Sequence, residues 1–276
     1  MNAEPSAMTL AEEILRRPVP RGSILAWWLG GAGFVFKTPG GTEVYVDPYL
    51  SDCVRDIFGM ARAFPTPLRP EEARPDLVIA THWHEDHLDP GSIPVISQGS
   101  PRTRFLMPPS AMARALSWGL ARDRITPMSP GQSFELEGIR ISHAPARHEA
   151  GVPGWEVPDA MGVVIEAEGM KIYHSGDTEY DTRLRHLRSQ RFDVALLCMN
   201  GVGGNMNVYE AALLAKQLEA RTVIPMHHYL WAERQGGEEE TLDARVFQDT
   251  YLRLGGRGEV VLPRVAGEIE LRGGAR

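Results

Sequence analysis

Basic runs, cysteine pairs and long apolar stretches are all missing from this chain of 276 residues, and each absence excludes a class of protein. The net charge is −7 and no five basic residues stand together, which disfavours nucleic acid or an anionic membrane as a partner. Cys53 and Cys198 form no C-x-x-C pair, so we expect two reduced thiols in a cytoplasmic protein. No stretch reaches 18 apolar residues and residues 1–17 contain no apolar signal core, so we expect neither a membrane span nor a signal peptide.

Short strands and turns dominate the predicted secondary structure, because the chain contains 28 glycines and 21 prolines. Thr9 and Glu12 have the spacing of a capping box, which predicts a lead helix within residues 1–20. Strand runs and strand–helix units then alternate twice, and this rhythm indicates two packed sheets with helices outside, in a single domain spanning 1–276. The proline-rich stretch 51–74 has no periodicity and is predicted to be an irregular loop that can cover the mouth of a site.

The strongest chemical signal is the run T-H-W-H-E-D-H-L-D at 81–89, which holds three of the nine histidines. It follows residues 75–80, a short apolar stretch typical of a buried strand. Side chains at alternating positions share a face where a strand ends, so four donors of this run can converge on one point. They are His82, His84, Asp86 and, from the next turn, His87. Imidazole and carboxylate donors at this density predict a transition-metal site.

Five of the six remaining histidines lie at or just beyond a predicted strand end, where sites collect in layered α/β folds. They are His143, His148, His174, His227 and His228. Asp177 has the same kind of position. Asp47 ends the third predicted strand, where its carboxylate can either support a metal ligand or cap a turn. The sixth histidine, His186, belongs to an arginine-rich stretch and is predicted to lie at the surface.

Two metal ions can share these donors. His82 and His84 with one later histidine would bind the first ion, and Asp86 and His87 with another later histidine would bind the second. Asp177 can bridge the ions, because a carboxylate has two oxygens to place between two cations. A hydroxide in the remaining bridging position is then the predicted nucleophile, so no serine or cysteine nucleophile is required.

The order of these motifs resembles the metallo-β-lactamase superfamily, in which H-x-H-x-D-H is followed by a later His, a later Asp and a final His. The resemblance extends from residue 28 to the last strands, and it is closer to the branch that contains the bacterial L-ascorbate-6-phosphate lactonases. The residues that carry it are Trp27–Gly30 with Gly33, the 81–89 run, Tyr173–Asp177, and Ile224–His228 with Trp231. The resemblance implies an α/β fold, a four-layer αββα sandwich of two mixed β-sheets with helices outside.

The resemblance also implies a role for each candidate residue. It assigns His82 and His84 to the first metal, Asp86 and His87 to the second, Asp177 to the bridge and His227 to the second site. The third ligand of the first site is His148 or, as the competing candidate, His143, which we expect to face the core side of its strand. Asp86 and Asp177 are the residues expected to take part in catalysis. Further candidates to contact substrate or to support the ligands are His174, His228, Arg147 and Asn200.

The implied function is that of a metal-dependent hydrolase, a lactonase acting on a sugar-derived lactone such as L-ascorbate 6-phosphate. A phosphate on the substrate can be held by Arg147, by arginines of the 55–74 region or by amides of the Gly201–Gly204 loop. The alternative is a phosphodiesterase with the same binuclear site, acting on a small molecule or on nucleic acid. A non-enzymatic scaffold would be expected to lack some of the ligands, and every expected ligand type is present.

Two divalent metal ions are the expected cofactors. Imidazole-rich ligands favour zinc, whereas bridging carboxylates also suit manganese, the metal that the lactonase branch implies. We expect a small-molecule substrate and neither nucleic acid nor a membrane as a partner, with a homo-oligomer as an open possibility. The loop between His148 and Met161 is compact, and because such loops select substrates, the resemblance predicts the chemistry better than the substrate.

Overall fold

Strand β1 (Ser23–Gly30) is buried along its whole length, because each of its faces meets a different hydrophobic core. Ile24, Ala26 and Trp28 belong to the core shared with a second sheet, whereas Leu25 and Trp27 belong to a core beneath helices. Successive side chains of a strand point to opposite faces, so an unbroken apolar run identifies a strand that is covered on both sides. The computed structural model describes residues 8–234 and 242–274.

Two mixed sheets of seven strands each form the centre of the molecule. The strands of the first sheet are, in spatial order, β14 (Glu268–Arg272), β1, β2 (Gly33–Lys37), β3 (Glu43–Val46), β4 (Leu77–Ile79), β5 (Arg104–Met107) and β6 (Ile125–Pro127). Those of the second sheet are β13 (Glu259–Val260), β12 (Thr222–Met226), β11 (Val194–Cys198), β10 (Met170–His174), β9 (Met161–Ala167), β8 (Ile139–Pro145) and β7 (Ser133–Leu136). Strands β3 to β6 are parallel to one another, as are β10 to β13, and the remaining neighbours are antiparallel.

Helices cover the outer face of each sheet. Buried residues of α1 (Leu10–Arg16), α3 (Ile93–Gly99) and α4 (Pro109–Ser117) share the core on the first sheet. Buried residues of α5 (Val208–Leu218) and α6 (Ala244–Arg253) belong to the core on the second sheet. One more α-helix is α2 (Cys53–Phe58), and short 3₁₀ helices are found at Pro70–Glu72, Arg122–Arg124 and Leu184–Gln190. The helix–sheet–sheet–helix order confirms the predicted four-layer fold.

The predicted lead helix is confirmed as α1, and both hydrogen bonds of its Thr9–Glu12 capping box are formed. Residues 1–7 of the predicted lead segment lie outside the described residues. The prediction for 51–74 was wrong in part, because α2 and a 3₁₀ turn interrupt the irregular chain. Over residues 8–234 and 242–274, no helix is long and apolar enough to cross a membrane.

Candidate metal centre

The seven predicted ligands all follow strand ends and meet at one edge of the two sheets. The run that holds His82, His84, Asp86 and His87 follows β4 of the first sheet, and His148, Asp177 and His227 follow β8, β10 and β12 of the second. His227 has a left-handed backbone (φ 58°), and its amide donates to the carbonyl oxygen of Gly31 at 2.8 Å, between β1 and β2. The second sheet therefore presents its donors to the first across the interface.

The donors form three overlapping triads, and within each triad the ligand atoms lie within 4.8 Å of one another. The triads are His82–His84–His148, His82–His87–Asp177 and Asp86–His87–His227. Nε2 of His148 lies 3.0 Å from Nδ1 of His84. Oδ2 of Asp177 lies 3.3 Å from Nε2 of His87, 3.3 Å from Nε2 of His227 and 3.8 Å from Nε2 of His148. Asp177 thus stands between the two predicted metal sites.

Each histidine of the 81–89 run uses one ring nitrogen in the protein and leaves the other for the centre. His84 Nε2 donates to the carbonyl oxygen of Trp155 at 3.3 Å, and His87 Nδ1 donates to Oδ2 of Asp47 at 2.8 Å. His82 Nδ1 lies 3.2 Å from Oγ1 of Thr81. Since Thr81 Oγ1 donates its proton to Asp47 at 2.8 Å, it can accept from His82. These contacts set the tautomers that a metal ligand needs.

Several atoms that face the centre lack a hydrogen-bond partner among the described residues, although they are buried. They are Nε2 of His82, Nε2 of His87, Nε2 of His227 and Oδ1 of Asp177. Buried polar atoms without partners are unfavourable, so such a set requires something to bind. Ligand atoms about 2.1 Å from one ion lie about 3.0 to 3.4 Å apart, which matches the separations around Asp177. The donor set therefore fits divalent metal ions.

The electrostatics of the cluster are also those of a cation site. Burial lowers the pKa of His82 and His84 and lowers that of His148 to about 3, so these rings are neutral donors at neutral pH. Burial alone would raise the pKa of Asp86, but His87 and His227 lower it to about 2. Asp177 is likewise held well below its usual pKa against the effect of burial, by His227 and His87. Burial would lower the pKa of His87 and His227, but Asp177 and Asp86 raise both, so this end of the cluster favours positive charge beside its carboxylates.

Asp47 and Asn205 hold the ligands in place. The sequence left such support open for Asp47 and did not predict the contact of Asn205. Asp47 is fully buried, and its carboxylate accepts from the Thr81 amide at 2.7 Å as well as from Thr81 Oγ1 and His87. Of the two readings left open for Asp47, support of a metal ligand is therefore the one that the contacts show. Asn205 Nδ2 donates to Oδ2 of Asp177 at 2.7 Å. In the sequence, only the position of Asn205 in a Gly/Asn-rich loop between β11 and α5 could have indicated its contact with Asp177.

The alternative between His148 and His143 is decided by position. His148 lies in the first triad and is 3% exposed, whereas His143 is half-buried in a groove with Arg140 and Glu166, away from the triads. In the strand register His143 lies opposite the buried Val163, on the face of β8 that it shares with Ile141, which agrees with the core side expected for it.

The four remaining candidates occupy different places. His174 donates from Nε2 to the Ala32 carbonyl oxygen at 2.8 Å, and its Nδ1 accepts from the Gly176 amide at 3.1 Å, so it fixes the turn that carries Asp177. Asn200 lines the cavity above the donors, and its contact with a substrate stays a prediction. The other two candidates lie away from that cavity. The ring of His228 packs against Trp28 at 4.8 Å, and Arg147 is directed to Glu179, 3.4 Å away.

A cavity of about 130 Å³ opens above the triads. Its polar floor contains five of the seven candidate ligands, namely His84, Asp86, His148, Asp177 and His227. Its walls are formed by apolar side chains of α2 and of the loops after β8, β11 and β12. A small molecule that enters the cavity meets the metal donors at its base.

Comparison with known proteins agrees with this geometry. The sequence profile of the β-lactamase superfamily domain matches residues 42–228. The probable L-ascorbate-6-phosphate lactonase UlaG of Salmonella heidelberg (strain SL476) is 29% identical, over 84% of this chain and 77% of that protein.

Solved structures show the same fold at lower sequence identity. Igni18, a metallo hydrolase from the archaeon Ignicoccus hospitalis KIN4/I, superposes with a TM-score of 0.68 at 21% identity, covering 91% of this chain and 100% of that one. An isothiocyanate hydrolase from Delia radicum gut bacteria gives a TM-score of 0.65 at 20% identity, covering 89% and 98%. The names of the probable lactonase and of the isothiocyanate hydrolase print different substrates, so the likeness to the solved structures establishes the fold and leaves the substrate to the site.

Proposed function

The chain belongs to the β-lactamase superfamily and is a metal-dependent hydrolase with the metallo-β-lactamase fold, and from this premise we propose that it opens lactones with the help of two divalent metal ions. The observation that carries the proposal is the set of three overlapping triads, with four buried donor atoms that lack another partner among the described residues. The similarity to a probable lactonase over most of both chains supports a cyclic ester as the bond that is cleaved.

In this proposal each predicted ligand keeps the role expected from the sequence. His82, His84 and His148 would hold one ion, and Asp86, His87 and His227 the other. The carboxylate of Asp177 would bridge the two ions, since its Oδ2 lies within 3.8 Å of donors from both predicted metal sites. When bound, the two ions would supply a hydroxide nucleophile at neutral pH and stabilise the oxyanion that forms on the lactone.

The protein's own residues would orient the donors and the substrate. Asp47 holds the ring of His87 through Nδ1, and His174 fixes the turn before Asp177. Asn205 fixes the carboxylate of Asp177 itself. The buried amide of Asn200 faces the cavity with its Oδ1 unpartnered in the described chain, so it can accept a hydrogen bond from a hydroxyl of the substrate.

Metal analysis tests the binuclear site independently of any substrate. Protein reconstituted separately with manganese and with zinc and then desalted should retain about two equivalents of at least one metal. Less than half an equivalent with both metals would contradict the proposal. The metal that is retained more tightly at equal concentration identifies the preferred ion.

A substrate panel tests the reaction. Lactones, phosphorylated lactones and phosphodiesters are assayed with each metal, and we expect ring opening of lactones to be the fastest reaction. Faster cleavage of the phosphodiesters would instead support a phosphodiesterase, the alternative that uses the same donors. We retain as predictions a small-molecule substrate, no nucleic-acid partner and a cytoplasmic location.

A further inference from the structure

Apolar side chains form the entrance of the cavity. Phe58 of α2, Met60, Trp155 and Trp231 line it above the donors, and we call these four residues the apolar rim. Phe58 is 40% exposed and Trp155 is 41% exposed, which is unusual for side chains of this size. Exposed aromatic surface that is continuous with a polar catalytic floor is the composition expected of a substrate pocket.

The rim is held in place by contacts with the rest of the site. The ring centroids of Phe58 and Trp155 are 5.6 Å apart, which joins α2 to the loop after β8. Trp155 also stacks on Trp83 at 6.4 Å, and its carbonyl oxygen accepts from His84. On the other side, Trp231 packs against Tyr49 at 5.8 Å. A rim fixed in this way is preformed and does not need a ligand to order it.

The charge of the cavity complements a neutral ligand rather than an anion. Over residues 8–234 and 242–274, no arginine or lysine lines the cavity, whereas Glu85 and Glu149 do. By sequence, 235–241 contains three glutamates and no basic residue. The floor has its own carboxylates, which the metal ions would neutralise. Because Glu85 pairs with Arg114, Glu149 supplies the remaining negative charge of the wall.

Nearby arginines are directed to other groups. Arg114 pairs with Glu85 at 2.9 Å and lies 3.7 Å above the ring of Trp83. Arg62 donates to the carbonyl oxygens of Tyr49 and Ser51. Arg147 lies 3.4 Å from Glu179. The other arginines of 55–74 also have protein partners: Arg55 pairs with Asp52 and Asp56, Arg69 with Glu72, and Arg74 donates to the carbonyl oxygens of Glu71 and Ala73.

The glycine loop after β11, the remaining candidate for a phosphate, is covered by a carboxylate. A Cβ placed on Gly203 would lie 3.0 Å from Oε1 of Glu149, so this oxygen occupies the space in front of the loop. A Cβ placed on Gly204 would lie 3.6 Å from Oε1 of Glu179. A phosphate bound to these amides would face two carboxylates, whose charge would repel it.

We infer that the substrate carries an uncharged apolar group, alkyl or aryl, that packs on the rim of Phe58, Trp155 and Trp231, and that a phosphorylated lactone is a poor substrate. The inference rests on the proposed lactonase reaction for the bond that breaks. It adds the chemistry of the part of the substrate that does not react.

A matched pair of lactones tests the inference kinetically. The two γ-butyrolactones carry on the same ring carbon either a benzyl or a phosphonooxymethyl group. On the metal-loaded enzyme we expect kcat/KM to be at least about tenfold higher for the benzyl lactone. Phe58→Ala and Trp155→Ala should each lower kcat/KM for the benzyl lactone about tenfold. They should leave kcat/KM for the phosphorylated lactone unchanged, since only the benzyl lactone loses an aromatic contact. Tyr209→Ala, which removes an exposed aromatic ring on α5, is the matched control and should change neither value.

Charge is tested by a separate variant. Glu149→Gln removes one carboxylate from the wall and should raise kcat/KM for the phosphorylated lactone about fivefold without raising that for the benzyl lactone. A wild-type preference for the phosphorylated lactone would overturn the inference while leaving lactone hydrolysis intact.

Binding of the corresponding γ-lactams, which resist hydrolysis, separates this inference from the proposed reaction. Binding is measured by quenching of tryptophan fluorescence, since Trp155 and Trp231 line the cavity. Tighter binding of the benzyl lactam, weakened in Phe58→Ala, supports the inference even if neither lactone is hydrolysed, a result that would contradict only the proposed reaction. Equal or tighter binding of the phosphorylated lactam overturns the inference.

Discussion

The floor of the cavity and its apolar rim are built in different ways. The floor is built on the seven candidate ligands, five of which line the cavity. These ligands follow strand ends and, apart from the half-buried Asp86, are almost fully buried. The rim comes from a six-residue helix and two loops, and two of its aromatic side chains are about 40% exposed. Sheet ends constrain the floor through many hydrogen bonds, whereas the side chains of the rim are held mainly by ring contacts. We therefore expect changes in the floor to affect metal binding and reaction, and changes in the rim to affect only the choice of substrate.

Removing the bridging carboxylate should produce the largest effect. Asp177→Ala removes the carboxylate that lies near donors of both predicted metal sites, so we expect hydrolysis to fall at least about 10³-fold and metal content to fall. Far-UV circular dichroism should be unchanged. Asp249→Ala on the exposed side of α6 is the control. A fully active Asp177→Ala enzyme would refute the bridging role.

A methyl group at the turn before Asp177 should affect the floor through the backbone. Gly176 has φ +57°, and a Cβ there would lie 2.7 Å from the carbonyl oxygen of Met161 and 2.9 Å from Cβ of Thr81. Gly176→Ala should therefore cost about 3 kcal/mol of unfolding free energy, measured by urea denaturation, and displace Asp177. Gly169→Ala, with φ +74° and open space, should cost only about 1 kcal/mol. Equal costs would show that the crowding at Gly176 has no effect.

Loss of the carboxylate behind His87 should weaken metal binding without removing a ligand. Asp47→Ala deletes the acceptor of the His87 Nδ1 proton, and such supporting groups are worth about 10- to 100-fold in metal affinity. Competition with a chelator measures the change. Asp76→Ala removes an acceptor of a backbone amide in the same sheet, remote from the triads, and serves as the control. Unchanged affinity in Asp47→Ala would show that the floor does not depend on this support.

Glu43 is a buried carboxylate outside the floor, and it shows how much unfolding free energy such a group costs away from any metal ion. Burial raises the pKa of Glu43 to about 7, against the opposing effect of Lys37. Between about pH 4.5 and 7 the folded state keeps a proton that the unfolded state releases, so this group makes the unfolding free energy fall as pH rises. Glu43→Gln should remove about 2 kcal/mol of the difference between pH 5 and pH 8, measured by urea denaturation with chelator present. An unchanged difference would contradict the raised pKa.

A polar substitution in the rim should have the smallest effect on the fold and the floor. Phe58→Ser lies at the end of α2 in a half-exposed position, so we expect less than about 0.5 kcal/mol of lost stability and unchanged metal content. Thermal unfolding and metal analysis check both. Loss of metal in this variant would show that rim and floor are coupled, which would remove the distinction between them.

The sequence predicted the architecture where local patterns repeat. The alternation of strand runs with strand–helix units gave two sheets with helices outside, and the Thr9 capping box gave α1. The prediction of an irregular loop over 51–74 was wrong in part, because this stretch contains the short helix α2. A helix of six residues has too few turns to show a periodicity, so packing against the site decides its conformation.

By itself the sequence predicted the candidate metal centre, because four candidate ligands lie within six consecutive residues and the spacing of a strand end brings them together. Only the tertiary structure decided which histidine joins them, that Asp47 supports His87 across 40 residues, and that Arg147 is paired elsewhere. The apolar rim likewise appeared only when α2 and the loop after β8 met. Local spacing fixes groups that are close along the chain, whereas contacts between distant segments depend on how two whole sheets pack together.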